Sequence, residues 1–354
     1  MGRIEELDAR IHERMAAMDK RIADRMAALD ARLGCGSSGH PSAVGMVKSM
    51  SMNAMDQAEE SSNFLGSAED QWNFDDERIF RLWNMVRYSK LVENNDQYRY
   101  IAGGIQFNVL HSGFSIGDTD GDHVNACALE GSPIIYLCSG AVRYSRLMAA
   151  AYFGCRARIV EKSFAECFRD MAVMWVRRGN TFVSSAHAEE FAQAHGLVKV
   201  LEDPKLLVKA TMLAECTLIG VIGHELGHQL LGHCRHNREQ ELNLEIQRNQ
   251  EREADSFASS ITSEMSEKGL KENAEYLTWI GLGTIIWGLA FAVVDYITKK
   301  RYHKADEDQT HPDPVERLFN FIKANPMTVK SLGVDFDDVL RLLAEAKIDF
   351  NVIR

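Results

Sequence analysis

The sequence predicts an α+β fold that is mostly α, with a small sheet whose edge strand lies near the functional centre. Three observations lead there. A proline-free apolar run, from Lys209 to His224, has the spacing of a helix that enters the core. Two short β-prone runs, Val124 to Leu129 and Ile134 to Leu137, flank the break Gly131-Ser132-Pro133. Most of what lies between Gly140 and His224 also reads as helical, through stretches such as Leu147 to Tyr152 and Cys167 to Trp175.

The apolar run ends in His224-Glu225-Leu226-Gly227-His228. Two imidazoles four residues apart share one helix face and can hold one zinc ion. Glu225, directly after the first histidine, is placed to take a proton from a water on that ion. Three protein ligands with a fourth position open is the catalytic pattern, and Glu251-Arg252-Glu253-Ala254-Asp255 supplies the third. Glu251 and Asp255 are four apart, so Glu251 can bind the metal while Asp255 accepts the free ring N–H of a ligand histidine. His233 competes for the third position. The pattern H-E-x-x-H-x-x-G-x-x-H would need glycine at 231 and histidine at 234, where this chain has Leu231 and Cys234. His233 is therefore expected on the helix surface or behind a ligand.

Composition narrows the class. With 354 residues, 45% of them hydrophobic, the chain can bury a sizeable core in one large or two modest domains. A net charge of −11 excludes a basic stripe for nucleic acid. Seven cysteines without any C-x-x-C spacing fit a reducing compartment and leave zinc to the histidines. Arg3, Glu5, Glu6 and Asp8 stand where a secretory signal would be apolar, so a cytoplasmic location is expected, with inner-membrane association as the variant considered below.

The organisation expected along the chain is a helix over residues 1–34, a linker over 35–71 and a catalytic domain over 72–354 with a helical insert at about 141–208. Residues 4–33 repeat apolar positions every eleven residues: Ile4, Leu7, Ile11, then Met15, Met18, Ile22, then Met26, Leu29, Leu33. Eleven residues over three turns give a nearly straight coiled-coil stripe, too narrow to bury alone, which predicts self-association in preference to folding back on the domain. Gly34 to Asp70 is rich in glycine, serine and methionine and reads as a linker. Asp118 to Asp122 resembles the start of a calcium loop but meets His123 and Leu129 where glycine and a bidentate glutamate are required, which leaves a tight acidic turn. Asn125, Ala126, Cys127 and Ala128 are expected on an edge strand that binds an extended peptide by main-chain hydrogen bonds, with Pro133 suited to such an edge. His187 and His195 lie in a polar region and are expected at the surface. Tyr276 to Val294 is uncharged and about 28 Å long as a helix, followed by Lys299, Lys300 and Arg301. A membrane contact through 276–294 is one reading; a buried helix is the preferred one.

Four stretches together resemble the HtpX and CaaX prenyl protease type of zinc metallopeptidase, a gluzincin family with a zincin-like domain. They are His224 to His228, Glu251 to Asp255 in the form E-x-x-A-D, the edge strand Val124 to Gly140, and Thr310-His311-Pro312 with Arg317. The resemblance implies that His224, His228 and Glu251 are zinc ligands, Glu225 the base, Asp255 the partner behind a ligand, and His311 and Arg317 residues that steady the oxyanion or the substrate backbone. Three departures stand out. Ser132-Pro133 replaces a glycine, the stretch before the zinc helix is longer than in the family, and residues 1–70 lack the family's membrane spans. A weaker similarity in layout is to the Lit type of phage-exclusion peptidase. The expectation is thus a zinc metalloendopeptidase acting on a protein substrate, in quality control or in defence. The rival is a coiled-coil or membrane-associated interaction protein with a structural or latent zinc site.

Overall fold

The structure, a computed structural model, describes residues 74–116, 119–164, 166–168, 170–171, 183–236, 244–272, 279–288 and 314–324. The expected N-terminal repeat and linker, His311, Asp118 and both ends of the stretch 276–294 lie outside the described residues. The fold is α+β and mostly α.

Helix α1 (Asp76–Arg87) starts where the Asp75 carboxylate accepts from the Arg78 amide at 2.6 Å. Ile79, Leu82, Trp83 and Val86 recur at helical spacing and are buried, each contributing roughly 1.5–3 kcal/mol. Short helices α2 (Lys90–Glu93) and α3 (Asp96–Gly104) follow, the second capped by Asn95, which accepts from Gln97 and Tyr98. Strand β1 (Gln106–Leu110) comes next, with Phe107 stacked on Trp83 at 5.1 Å between centroids. Strands β2 (Ser115–Ile116) and β3 (Thr119–Asp120) pair antiparallel, and an acidic turn follows β3. There Asp120 accepts from the Asp122 amide, and Asp122 is bound by the buried Arg143.

Strands β4 (Ala126–Ala128) and β5 (Ile134–Cys138) complete a three-stranded sheet of order β1-β5-β4. β5 is parallel to β1 and antiparallel to β4, with Cys127 opposite Tyr136, so β4 is an edge. Pro133 departs from its expected edge position. It stands at the entry to the central strand, where its carbonyl accepts from the Gln106 amide at 2.8 Å and the missing N–H costs nothing.

Helix α4 (Ser139–Arg156) runs directly out of β5. It opens the stretch expected as an insert, yet Tyr144, Leu147 and Met148 are fully buried and the helix packs on the central helix, so it is part of the core. Helices α5 (Ser185–Ala194) and α6 (Val198–Glu202) lead to that central helix, α7 (Pro204–Leu230). Asp203 caps α7 through the Lys205 and Leu206 amides, and Pro204 takes the first position, where no N–H is needed. α7 is apolar on all sides because α1, α4, the sheet and a second long helix surround it.

Gly232, with φ of 80°, ends α7 and turns the chain into the short helix α8 (His233–His236). The second long helix, α9 (Leu244–Glu272), crosses α7 closely. A side chain at Gly227 would come within 3.2 Å of the Ala254 Cα, so glycine is what lets the two backbones meet. Helix α10 (Trp279–Gly288) is the described part of the 276–294 stretch, and all of its residues are buried. Gly283 lies against the Thr217 amide of α7, an approach that any Cβ would block. Among the described residues the one helix long and apolar enough to cross a membrane is α7 itself. Helix α11 (Pro314–Ala324) packs on α9.

Candidate metal centre

The close α7–α9 contact positions the site. His224 and His228 leave α7 on one face, with their Nε2 atoms 3.1 Å apart. From α9, Glu251 brings Oε2 to 3.4 Å from His224 Nε2 and Oε1 to 3.3 Å from His228 Nε2. Three ligand atoms from these residues lie within 4.8 Å of one another.

The chemistry of this set calls for a cation. His224 Nδ1 lies 2.9 Å from Asp255 Oδ1; a carboxylate only accepts, so that nitrogen carries the proton of a neutral imidazole and Nε2 presents a lone pair. A lone pair and a carboxylate oxygen facing each other repel unless a positive charge lies between them. A tetrahedral ion with ligand bonds of about 2.0–2.1 Å would hold its ligands about 3.3–3.4 Å apart, and the observed spacings are 3.1, 3.3 and 3.4 Å. The residues therefore fit a metal with little movement. Without one, a proton takes its place. Burial alone would lower the His224 pKa, but hydrogen bonds to Asp255 and Glu251 and the Asp255 charge hold it up at about 10.

Behind the ligands the polar contacts continue. Arg317 from α11 grips Asp255 with a two-pronged contact, Nε to Oδ2 and Nη2 to Oδ1, both 2.7 Å, and Nη2 is also 3.9 Å from Glu251 Oε2. Burial would neutralise Asp255, yet the Arg317 charge and the His224 hydrogen bond overcome it and keep the carboxyl below its usual range. Arg317 is buried too, and Asp255 holds it cationic. Two of its N–H groups are thus committed to orienting Asp255 and, through it, His224.

Glu225 points to the sheet: its Oε2 accepts from the Ala128 amide at 2.7 Å. The edge strand and the glutamate next to the ligands are therefore one unit. Gln229, a turn further on, donates to the carbonyls of Ser132 at 3.0 Å and Ile134 at 3.2 Å, with Leu129 at 3.4 Å, and so holds the β4–β5 turn on α7. Burial, followed by the Glu225 charge, pushes Cys127 up to about 11 and Cys234 up to about 12, so both remain neutral thiols.

The structure thus brings together His224, His228, Glu251, Asp255, Arg317 and Glu225, with β4 alongside; His311 is outside the described residues. Sequence reasoning missed the Glu225–Ala128 contact and the Gln229 tie. Its choice for His233 resolves to the buried alternative: the residue is 4% exposed and its Nδ1 is 3.0 Å from His228 Nδ1. His195, expected at the surface, stacks on Phe191 and lies 3.2 Å from Asp170, its side chain only 8% exposed.

The His224, His228 and Glu251 cluster is compatible with a bound metal ion. Residues 187–334 match the family model described as Peptidase U49. The match takes in α7, α9 and α11, and it supports a peptidase, hence a hydrolase acting on proteins or peptides. Peptidase U49 is the family of the Lit type, so the comparison favours the similarity in layout to that type and does not support the HtpX and CaaX type specifically. Comparison with curated proteins and with solved structures gives no match.

Proposed function

We propose that the chain is a zinc-dependent metalloendopeptidase that cleaves a protein substrate laid along β4. One observation carries the reading: three acceptor atoms from His224, His228 and Glu251 converge at tetrahedral spacing beside Glu225, which is itself bonded to the edge strand. Bound there, a zinc ion would polarise the scissile carbonyl and lower the pKa of an attacking water.

The chain's own residues do the rest. Asn125 and Cys127 turn their main-chain groups to β5, where the Asn125 carbonyl accepts from the Cys138 amide, so along this edge Ala126 and Ala128 are the residues that offer main-chain groups to an extended peptide, which fixes the scissile bond while tolerating varied side chains. Glu225 takes the proton of the attacking water and returns it to the leaving amine. When substrate arrives, the carboxylate exchanges its Ala128 amide partner for that water, which ties activation of the base to occupation of the strand. Asp255 fixes the His224 ring and tautomer, and Arg317 keeps Asp255 ionised and oriented. We assign His311 to steady the oxyanion, a donor that the developing negative charge requires. Self-association through residues 4–33 and a cytoplasmic location complete the reading; the eleven-residue repeat and the unpaired cysteine spacing support them.

The test is metal content and proteolysis of purified Glu225→Gln beside wild type. About one zinc per chain in both, with cleavage reduced roughly 10²–10⁴-fold in the variant, is the expected result. Wild-type cleavage by the variant overturns the role of Glu225. A coordination shell closed by a fourth protein ligand overturns the enzyme reading in favour of a structural site.

A further inference from the structure

The His228 ring has two nitrogens, and the structure gives each a different neighbour. Nε2 faces Glu251 and His224. Nδ1 lies 3.0 Å from Nδ1 of His233, whose Nε2 is in turn 2.9 Å from Glu253 Oε2. Only one proton fits between the two Nδ1 atoms. If His228 is to offer its Nε2 lone pair to a cation, its own proton sits on Nδ1 and is donated to His233. His233 Nδ1 must then be bare, so the neutral ring carries its proton on Nε2, where the Glu253 carboxylate accepts it. The opposite arrangement fails at both ends. It would place a proton on His228 Nε2, inside the ligand cluster, and set a bare His233 nitrogen against a carboxylate at 2.9 Å.

We infer that His233, held by Glu253, is a positioning residue that fixes the tautomer and the ring orientation in which His228 binds a divalent cation. The inference rests on the cation site proposed above and extends it to two residues outside the ligand set. The two ligand histidines are then backed differently, His224 by a carboxylate and His228 by a neutral imidazole whose own carboxylate stands one step further out. The local fold holds His233 in place: the turn at Gly232 brings it back over the last turn of α7, and the next residue, Cys234, accepts from the Gly131 amide at 2.8 Å.

Zinc alone is the probe, titrated against a chromophoric chelator with the purified full chain. His233→Leu, which removes the acceptor, should raise the zinc Kd about 10–100-fold. His233→Gln should recover most of that loss, because its carbonyl oxygen can accept from His228 and its amide can donate to Glu253; a buried histidine that only fills space would be rescued equally well by leucine. The Glu253 side chain is 63% exposed, so Glu253→Ala should fold whatever happens at 233, and its Kd should rise by about threefold or more. Unchanged zinc affinity in folded His233→Leu, or in Glu253→Ala, overturns the inference while leaving the metal site intact. Wild-type protein that takes up no zinc overturns the site and this inference together.

Discussion

The Ala128 amide donates to the Glu225 carboxylate at 2.7 Å, a contact that joins the sheet edge to the residue between the two ligand histidines. Glu225 is 9% exposed, so the bond is shielded from water. Glu225→Gln keeps an oxygen that can accept this amide, whereas Glu225→Ala leaves the N–H without it. The alanine variant should therefore be less stable than the glutamine variant by about 1–3 kcal/mol in urea unfolding, although both lose the base. Equal midpoints would mean that the contact contributes nothing to the fold.

At Gly227, more than at Gly223, a side chain on α7 would press on α9. A Cβ there would stand 3.2 Å from the Ala254 Cα and 3.3 Å from the Phe257 Cβ, so α9 would have to yield by a few tenths of an ångström. Alanine's better helix propensity returns about 1 kcal/mol, against roughly 1–3 kcal/mol for overpacking. Stability of Gly227→Ala should thus fall by no more than about 2 kcal/mol. Metal binding should change as well, because α9 carries Glu251, and zinc Kd is expected to rise roughly tenfold. Chelator competition and a thermal scan on the same sample separate the two effects.

Arg317 is what keeps Asp255 ionised inside the protein. Arg317→Leu leaves a buried carboxylate without its cation and should cost about 3–5 kcal/mol. The pH dependence follows from the sign. Asp255 has a folded pKa below its unfolded value, so its contribution is present above the unfolded pKa and disappears as pH falls through the lower folded one. Without Arg317 the main cause of that depression is gone, and the acid-unfolding midpoint of the variant should move to higher pH. Arg317→Lys restores charge without the fork and should fall between the two. Circular dichroism from pH 7 downward would measure all three proteins.

These relationships also explain what could be read in the chain beforehand. Spacing within one helix was legible: His224 with His228, and Glu251 with Asp255, follow from 3.6 residues per turn. The β4–β5 hairpin was legible from its Gly-Ser-Pro break. Contacts between segments without a common period were not. Nothing in the sequence near Tyr144 says that α4 is packed against α7 and forms part of the core, because a buried helix and a helical insert show the same apolar spacing. His233 was ambiguous for a similar reason. It follows the Gly232 turn, after which helix periodicity no longer predicts direction. The same holds for Gly227, whose need for a small side chain comes from α9 and not from its own helix.

Gln229 tests whether the edge strand acts as a separately held part. Its amide nitrogen reaches the carbonyls of Leu129, Ser132 and Ile134, three points of the turn that joins β4 to β5, and it comes from the helix that carries the ligands. Gln229→Ala removes these donors without touching a ligand, the base or any strand residue, and the loss should cost about 1–3 kcal/mol. The sheet would still pair through its own ladder, but β4 would be less well held over the metal centre. A substrate bound by that strand would then pay for ordering it, so KM should rise several-fold while kcat falls less and zinc Kd stays within about twofold of wild type. Gln229→Glu, which sets a carboxylate against carbonyl oxygens, should be worse in both stability and KM. A kcat that drops with KM unchanged would show that Gln229 serves the chemistry at the ligands, and that β4 has no part in holding the peptide.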